Sequence, residues 1–295
     1  MADHAPNGLK LNTVAHSSPL PAKERGQDIR RSFMSDWFPE PAKREIERQA
    51  AFSLVDVFDE LPSTSDHALA NLAAYSQRLP ALVVARRQTK GRGRGSRSWF
   101  AGDGALTFTA MLGTQDTPIE PCNWPRCSLI AGVAMCQTLE TLSQSEAFQL
   151  KWPNDVFLAG RKVCGILVEK RDAAEPVLCV GIGVNVNNSL EDAPADVQQR
   201  AIALTDVTGV QHFLPEILLD FLTRFQTLCM QNVDSLAGLL PYWQTHCLLT
   251  GRAIETRQAD QTISGECRGI DATGALLVET PAGSWQIVSG EIVRW

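Results

Sequence analysis

Gln88-Thr89-Lys90-Gly91-Arg92-Gly93-Arg94-Gly95-Ser96-Arg97-Ser98-Trp99 sets three glycines on alternate positions among four cations, carries no acidic residue, and ends in tryptophan. Glycine admits backbone conformations and close approaches that a Cβ forbids. Arginine presents a planar, permanently charged fork suited to phosphate and carboxylate. The stretch reads as a flexible loop that closes over an anion. From these residues alone two other readings stay open: a solvated basic loop, and an RGG-like nucleic-acid segment. Against the latter, the motif occurs once and lies between two apolar runs, 82–85 and 105–112. No Gly-Lys-Ser/Thr follows the glycines, so the loop is not a nucleotide P-loop.

Outward from the loop, the apolar runs predict strands at 82–87 and 105–112. Upstream, a strand is expected at 52–58. Ser63, Thr64 and Ser65 then sit where N-caps sit, before a run that places Leu69, Leu72, Ala73 and Leu79 on one helical face. Downstream, 124–143 reads as an apolar helix. Lys151-Trp152-Pro153-Asn154-Asp155 ends a strand in a turn, since Pro, Asn and Asp are turn formers. A strand and hairpin follow at 156–162, then strands at 163–170 and 176–186. Helices are predicted at 214–230 and 233–248. After Gly251, short strand-like pieces at 253–257, 262–270, 276–280 and 284–288 read as a small β-barrel. Residues 1–45, rich in Pro, Ser and mixed charge, read as a mostly disordered extension with a short helix at 43–51.

The 295 residues carry a net charge of -6, with 44% hydrophobic and 20% charged side chains, an ordinary globular composition. The acidic balance argues against bulk nucleic-acid binding and makes the positive loop a local feature. The longest apolar runs are too short for a bilayer, and no secretory signal is evident near Met1. The eight cysteines are scattered and form no C-x-x-C. Most sit in apolar surroundings and read as buried reduced thiols of a cytoplasmic protein, and neither the cysteines nor the dispersed histidines suggest a zinc site.

Taken in order, the Ser63-Thr64 helix start, the Gly/Arg loop ending at Trp99, Lys151-Trp152-Pro153-Asn154-Asp155, Gly160-Arg161-Lys162-Val163-Cys164-Gly165-Ile166-Leu167-Val168-Glu169 and Gly181-Ile182-Gly183-Val184-Asn185-Val186-Asn187 resemble biotin protein ligases, the biotin–[acetyl-CoA carboxylase] ligase family. The resemblance covers about 52–295, including Gly290-Glu291-Ile292 in the small barrel. It implies an α+β fold: a mixed, mostly antiparallel central sheet with helices, class II synthetase-like, then an SH3-like barrel. The expected organisation is an extension at 1–49, a catalytic domain at 50–249 and the barrel at 250–295.

The implied chemistry is biotin plus ATP to biotinyl-5′-adenylate, with Mg²⁺ as the metal of the ATP complex, then transfer to a lysine of the biotin carboxyl carrier protein of acetyl-CoA carboxylase. Other biotin-dependent carboxylases and a homodimer are left open. By resemblance Lys162 contacts the ligand carboxylate and adenylate, and Lys151 is a second, phosphate-side lysine. Arg92 and Arg94, with Gly91 and Gly93 between and beside them, order over the ligand. Gln88 and the Ser63-Thr64 pair meet the ureido ring. Trp99 packs near adenine, Asn154 belongs to the ligand-binding set, Asp155 lies near the attacking lysine and orients or deprotonates it, Gly165 permits close approach, and Asn185 lies near the adenylate. From spacing alone, each also has a structural reading: cap, turn, surface lysine or packed strand. The pattern departs at Ser65, where the family commonly carries Asn. A hydroxyl cannot present an amide's paired groups, so no specific role is carried to it. The N-terminal stretch shows no helix-turn-helix pair, so no DNA binding is expected. The rival readings are a lipoate or octanoate protein ligase or transferase on a related fold and a non-enzymatic biotin sensor.

Overall fold

In the computed structural model, which describes residues 37–145, 147–171, 176–258 and 261–295, helix α1 (Glu40–Gln49) precedes strand β1 (Leu54–Leu61). Pro41 in its first turn costs α1 no hydrogen bond, because that N–H has no helical partner. Ile46 is fully buried on its inner face. The stretch expected as an extension therefore includes an ordered helix from residue 40; residues 1–36 lie outside the described residues.

Helix α2 (Thr64–Ala70) is capped by Ser63, whose Oγ accepts from the Asp66 amide at 3.2 Å. The helix breaks at Asn71, and a single turn, α3 (Leu72–Tyr75), follows. The break rotates the expected apolar face. Ala68 and Tyr75 are buried, Leu69 and Leu72 only half-buried, and Ala73 is exposed.

Strand β2 (Ala81–Arg92) runs on into the basic loop, and β3 (Ser98–Ala101) pairs back onto it before β4 (Leu106–Leu112). Helix α4 (Cys127–Ser143) starts later than the expected 124, after a 3-10 turn that contains Pro125. Then come β5 (Phe148–Lys151), β6 (Asp155–Leu158), β7 (Arg161–Arg171) and β8 (Val177–Val184). Two short helices, α5 (Ala195–Arg200) and α6 (Leu204–Thr208), were not anticipated. Helix α7 (Leu214–Gln231) falls on the predicted 214–230 and buries Leu218, Phe221, Leu222 and Phe225. The helix expected at 233–248 shrinks to α8 (Leu240–His246). Pro241 has no N–H and is tolerated only in a first turn, so the helix starts beside it.

The sheet order is β1-β2-β4-β8-β7-β6-β5. Only β1 with β2 is parallel among the described pairs of this sheet, the mixed, mostly antiparallel arrangement expected. Central strands are buried on both faces and read as continuous apolar runs, as covered strands do. Leu82 and Val84 face α4 and α7, while Val83 and Ala85 face α2 and α3. The C-terminal unit is a five-stranded antiparallel sheet in the order β12-β11-β10-β9-β13: β9 (Ala253–Gln258), β10 (Gln261–Ile270), β11 (Leu276–Thr280), β12 (Gly283–Ile287) and β13 (Glu291–Arg294). Its inner residues Cys267 and Leu276 join the main core. Trp152 Nε1 ties the two parts by donating to Gly274 O at 3.1 Å. No helix among the described residues is long and apolar enough to cross a membrane.

Phe221 links α7 to the sheet, with ring centroids 5.5 Å from Phe108 and 5.7 Å from Phe225. Phe221→Ala should lose about 3–5 kcal/mol of unfolding free energy, the cost of a large buried cavity, measured by urea denaturation. An unchanged midpoint would mean the helix layer does not depend on this contact.

Candidate active site

The pairing of β7 with β8 sets Gly165 directly opposite Gly183. On that patch lies the indole of Trp99. A Cβ at Gly183 would fall 2.3 Å from Trp99 Cε2, and one at Gly165 would fall 3.1 Å from Trp99 Cζ3. A Cβ at Gly181 would fall 2.5 Å from Ser65 Oγ. Two glycines on alternate positions of β8 thus keep one face of the strand open to other groups. Trp99 Nε1 is buried and has no hydrogen-bond partner among the described residues. The space left beside the indole is a slot of about 80 Å³.

One end of the slot is neutral and rigid. The Thr64 amide donates to Gln88 Oε1 at 2.7 Å, and Thr64 Oγ1 donates to the same oxygen at 3.2 Å. Thr109 Oγ1 donates to Thr64 Oγ1 at 3.0 Å and lies 3.1 Å from Ser65 Oγ. All three hydroxyl residues are buried, so each group is held by its neighbour and water is displaced. Ser65 lines the slot, but its hydroxyl faces Thr109 and Gly181.

The other end is cationic. Lys162 Nζ lies 2.5 Å from Asp155 Oδ1 and 5.7 Å from the Trp99 ring centroid. The two side chains face each other across the β6–β7 hairpin, whose turn takes positive φ at Ala159 and Gly160. Arg94 donates to Gly290 O at 3.2 Å and lies 3.5 Å from Asn154 Oδ1; burial holds its guanidinium below the usual arginine pKa. Asn154 Nδ2 is anchored on Ile166 O at 2.7 Å. Arg92 is pinned between Asp66 and Glu169, each at 2.6 Å. These cations sit where solvent is partly excluded, which strengthens their attraction for an anion.

Twelve residues singled out in the sequence meet here: Ser63, Thr64, Ser65, Gln88, Arg92, Gly93, Arg94, Trp99, Asn154, Asp155, Lys162 and Gly165 all line the slot. Three do not. Gly91 pairs with Trp99 across β2 and β3, and a Cβ there would fall 2.5 Å from Trp99 O, so close packing requires the glycine. Asn185 is buried, and its Oδ1 accepts from Asn188 Nδ2 at 3.2 Å in the turn after β8. Lys151 is 9% exposed and lies under Trp295; burial pushes its ammonium down to about 8. Thr109, Asp66, Glu169, Gly181 and Gly183 were not singled out as site residues. A threonine inside an apolar strand and glycines alternating in another were the available signals. The acidic partners had none, because their pairing spans 77 residues for Arg92 and Glu169. A larger cavity of about 240 Å³ lies between β7, the start of α4 and the C-terminal unit; Arg94 reaches it, but the hydroxyl cluster and Lys162 do not. Among the described residues no group of three His, Cys, Asp or Glu is placed to hold a metal ion.

The model of the biotin/lipoate A/B protein ligase family matches residues 57–187, and that of the biotin protein ligase C-terminal domain matches 250–295. The bifunctional ligase/repressor of Bacillus subtilis is 32% identical over 247 residues, 80% of this chain and 72% of that protein. The biotin–[acetyl-CoA-carboxylase] ligase of Paracoccus denitrificans is 31% identical over 217 residues, 72% of this chain and 89% of that protein. Among solved structures, the biotin protein ligase from Aquifex aeolicus in complex with biotin and ATP aligns with a TM-score of 0.71 at 28% identity, over 83% of this chain and all of that one. The order of motifs read from the sequence, the two-part fold and these matches agree: the chain belongs to the biotin protein ligase family.

Proposed function

We propose that the slot under Trp99 joins biotin to ATP as biotinyl-5′-adenylate and passes the biotinyl group to a lysine of the biotin carboxyl carrier protein of acetyl-CoA carboxylase. The observation that carries this reading is the polarity of the slot. Thr64 and Gln88 form a neutral, hydrogen-bonding end, and Lys162 and Arg94 a cationic one, with glycines between. Biotin has the same polarity, a neutral ureido ring at one end and a carboxylate at the other. Relatives named biotin–[acetyl-CoA-carboxylase] ligase in Mycobacterium tuberculosis and Paracoccus denitrificans support the acceptor.

In the first step a carboxylate oxygen attacks the α-phosphorus of ATP and pyrophosphate leaves. Lys162 neutralises charge on both anions, which otherwise repel, and is aligned by its pair with Asp155. Arg94, fixed to Gly290 O, adds a second cation, and Lys151 takes a phosphate on the far side. The indole of Trp99 has to leave the glycines for a ligand ring to lie there, and then covers it against water. In the second step a neutral lysine amine attacks the acyl carbon, AMP leaves, and the amine loses a proton. Asp155, freed as phosphate takes over Lys162, then orients that amine. Mg²⁺ is proposed as the companion of ATP. The described residues offer it no cluster of their own, so no step is assigned through it.

Biotin-dependent ATP–pyrophosphate exchange, with octanoate and lipoate in parallel, tests the reading. Exchange with biotin alone is expected; exchange with an acyl acid instead would move the chain to the lipoate side of its family. Lys162→Ala should reduce exchange by roughly 10²–10³-fold, the usual cost of one electrostatic stabiliser, at unchanged melting temperature. Wild-type exchange would remove Lys162 from the mechanism. Arg94→Ala should release adenylate into solution, seen as biotin-dependent AMP formation without acceptor; full retention would contradict the covering role of the loop.

The pH dependence follows from Lys151. Burial lowers its pKa to about 8, so the charge that binds phosphate is present below that pH and lost above it. ATP kcat/KM should therefore fall above about pH 8, and Lys151→Arg, which stays charged, should move that limb upward. A limb unmoved by Lys151→Arg would assign it to another group.

A further inference from the structure

Lys151 ends β5 opposite Asp155 on β6, yet the Asp155 carboxylate goes to Lys162. Among the described residues the Lys151 ammonium makes no ion pair and no hydrogen bond. Its close neighbour is an aromatic face. Nζ lies 3.3 Å from the centroid of the Trp295 ring and 5.9 Å from that of Phe157. Phe157 in turn meets Trp295 edge-on, with centroids 6.5 Å apart at 85°. Trp295 follows β13 of the C-terminal unit and is 44% exposed, so its outer side is wet while its face covers a lysine that is 9% exposed. The start of β13 reaches the same region twice more. Gly290 O accepts from Arg94, and Glu291 pairs with Arg97.

An ammonium taken out of water without a partner is costly. A carboxylate would relieve that cost, but it would have to be displaced by each arriving phosphate. A ring face attracts the cation through its quadrupole and carries no net charge to compete. It can therefore hold the ammonium in position while a phosphate approaches its other side. We propose that Trp295 is a positioning residue of the ATP site, its indole holding the Lys151 ammonium in place both before and after a phosphate arrives. This makes the C-terminal unit part of nucleotide binding through one aromatic side chain. The inference rests on the reading of Lys151 as a phosphate-side lysine.

The test is pyrophosphate exchange by the full chain, with KM measured separately for ATP and biotin. The variants are Trp295→Leu, Trp295→Phe, Lys151→Gln and the Trp295→Leu/Lys151→Gln double. Trp295→Leu should raise the ATP KM about 10-fold, the loss of roughly one desolvated cation–π contact, and leave the biotin KM and melting temperature alone. Trp295→Phe should recover most of the loss. The double variant should be no worse than Lys151→Gln alone, because the indole acts through that lysine. If Lys151→Gln raises the ATP KM and Trp295→Leu does not, the role of Trp295 is overturned and that of Lys151 stands. If Lys151→Gln leaves the ATP KM unchanged, the phosphate-side reading fails and takes the inference with it. A loss in Trp295→Leu that is equal for ATP and biotin, not rescued by Phe and accompanied by a lower melting temperature, would reduce Trp295 to a structural role.

Discussion

The register that sets Gly165 against Gly183 is the constraint around which the site is built. Strand pairing fixes which side chains share a face, so a slip of one residue would replace this open patch with Ile182 or Val184. With the register in place, a flat ring can lie within van der Waals reach of two strand backbones. Everything else is placed at the rim of that patch. The hydroxyl cluster comes from the start of α2 and from β4, the loop from β2 and β3, and Lys162 from the β6–β7 hairpin. The hydrogen-bonded sheet thus positions groups that lie far apart in the chain.

Charge is handled by exchange. Arg92 is held by Asp66 and Glu169, Arg97 by Glu291, and Lys162 by Asp155. The Arg92 and Lys162 pairs satisfy cations partly withdrawn from water, the Arg97 pair is exposed, and each carboxylate can give way to a phosphate. The pairs also reach across the fold, from the loop to α2, to β7 and to the C-terminal unit. The conformation of the loop is therefore set by long-range partners more than by its glycines. Arg92, tied by two carboxylates, is the least free of the loop's paired arginines to follow a ligand.

Much of this was legible in the sequence, for identifiable reasons. The Gly/Arg loop, the Lys151–Asp155 turn and the Gly160–Glu169 hairpin each combine local turn chemistry with polar residues at fixed spacing, and local signals survive in one dimension. The apolar runs at 82–85 and 105–112 became central strands because covered strands need no alternation. What failed was tertiary. The helical face after Ser63 turned with the break at Asn71, and the helix at 233–248 was cut short at Pro241. Asp66 and Glu169 carry no local sign of a partner, because only folding brings Arg92 between them. Trp295 gave no signal, because its partner Lys151 lies on another element 144 positions away, as their numbers show. Asn185 marks the opposite case: its place in a strong motif pointed to the ligand, while its side chain is engaged in the turn after β8.

On the proposed reading, the reacting groups meet on the patch under Trp99. A crystal structure of the full chain with biotin and a non-hydrolysable ATP analogue tests it most directly. The account predicts a ligand ring against Gly165 and Gly183, the Trp99 indole displaced from the strand backbones, the ureido group at Thr64 and Gln88, and the carboxylate at Lys162. Ligands bound elsewhere, with the indole still seated on Gly183, would contradict it.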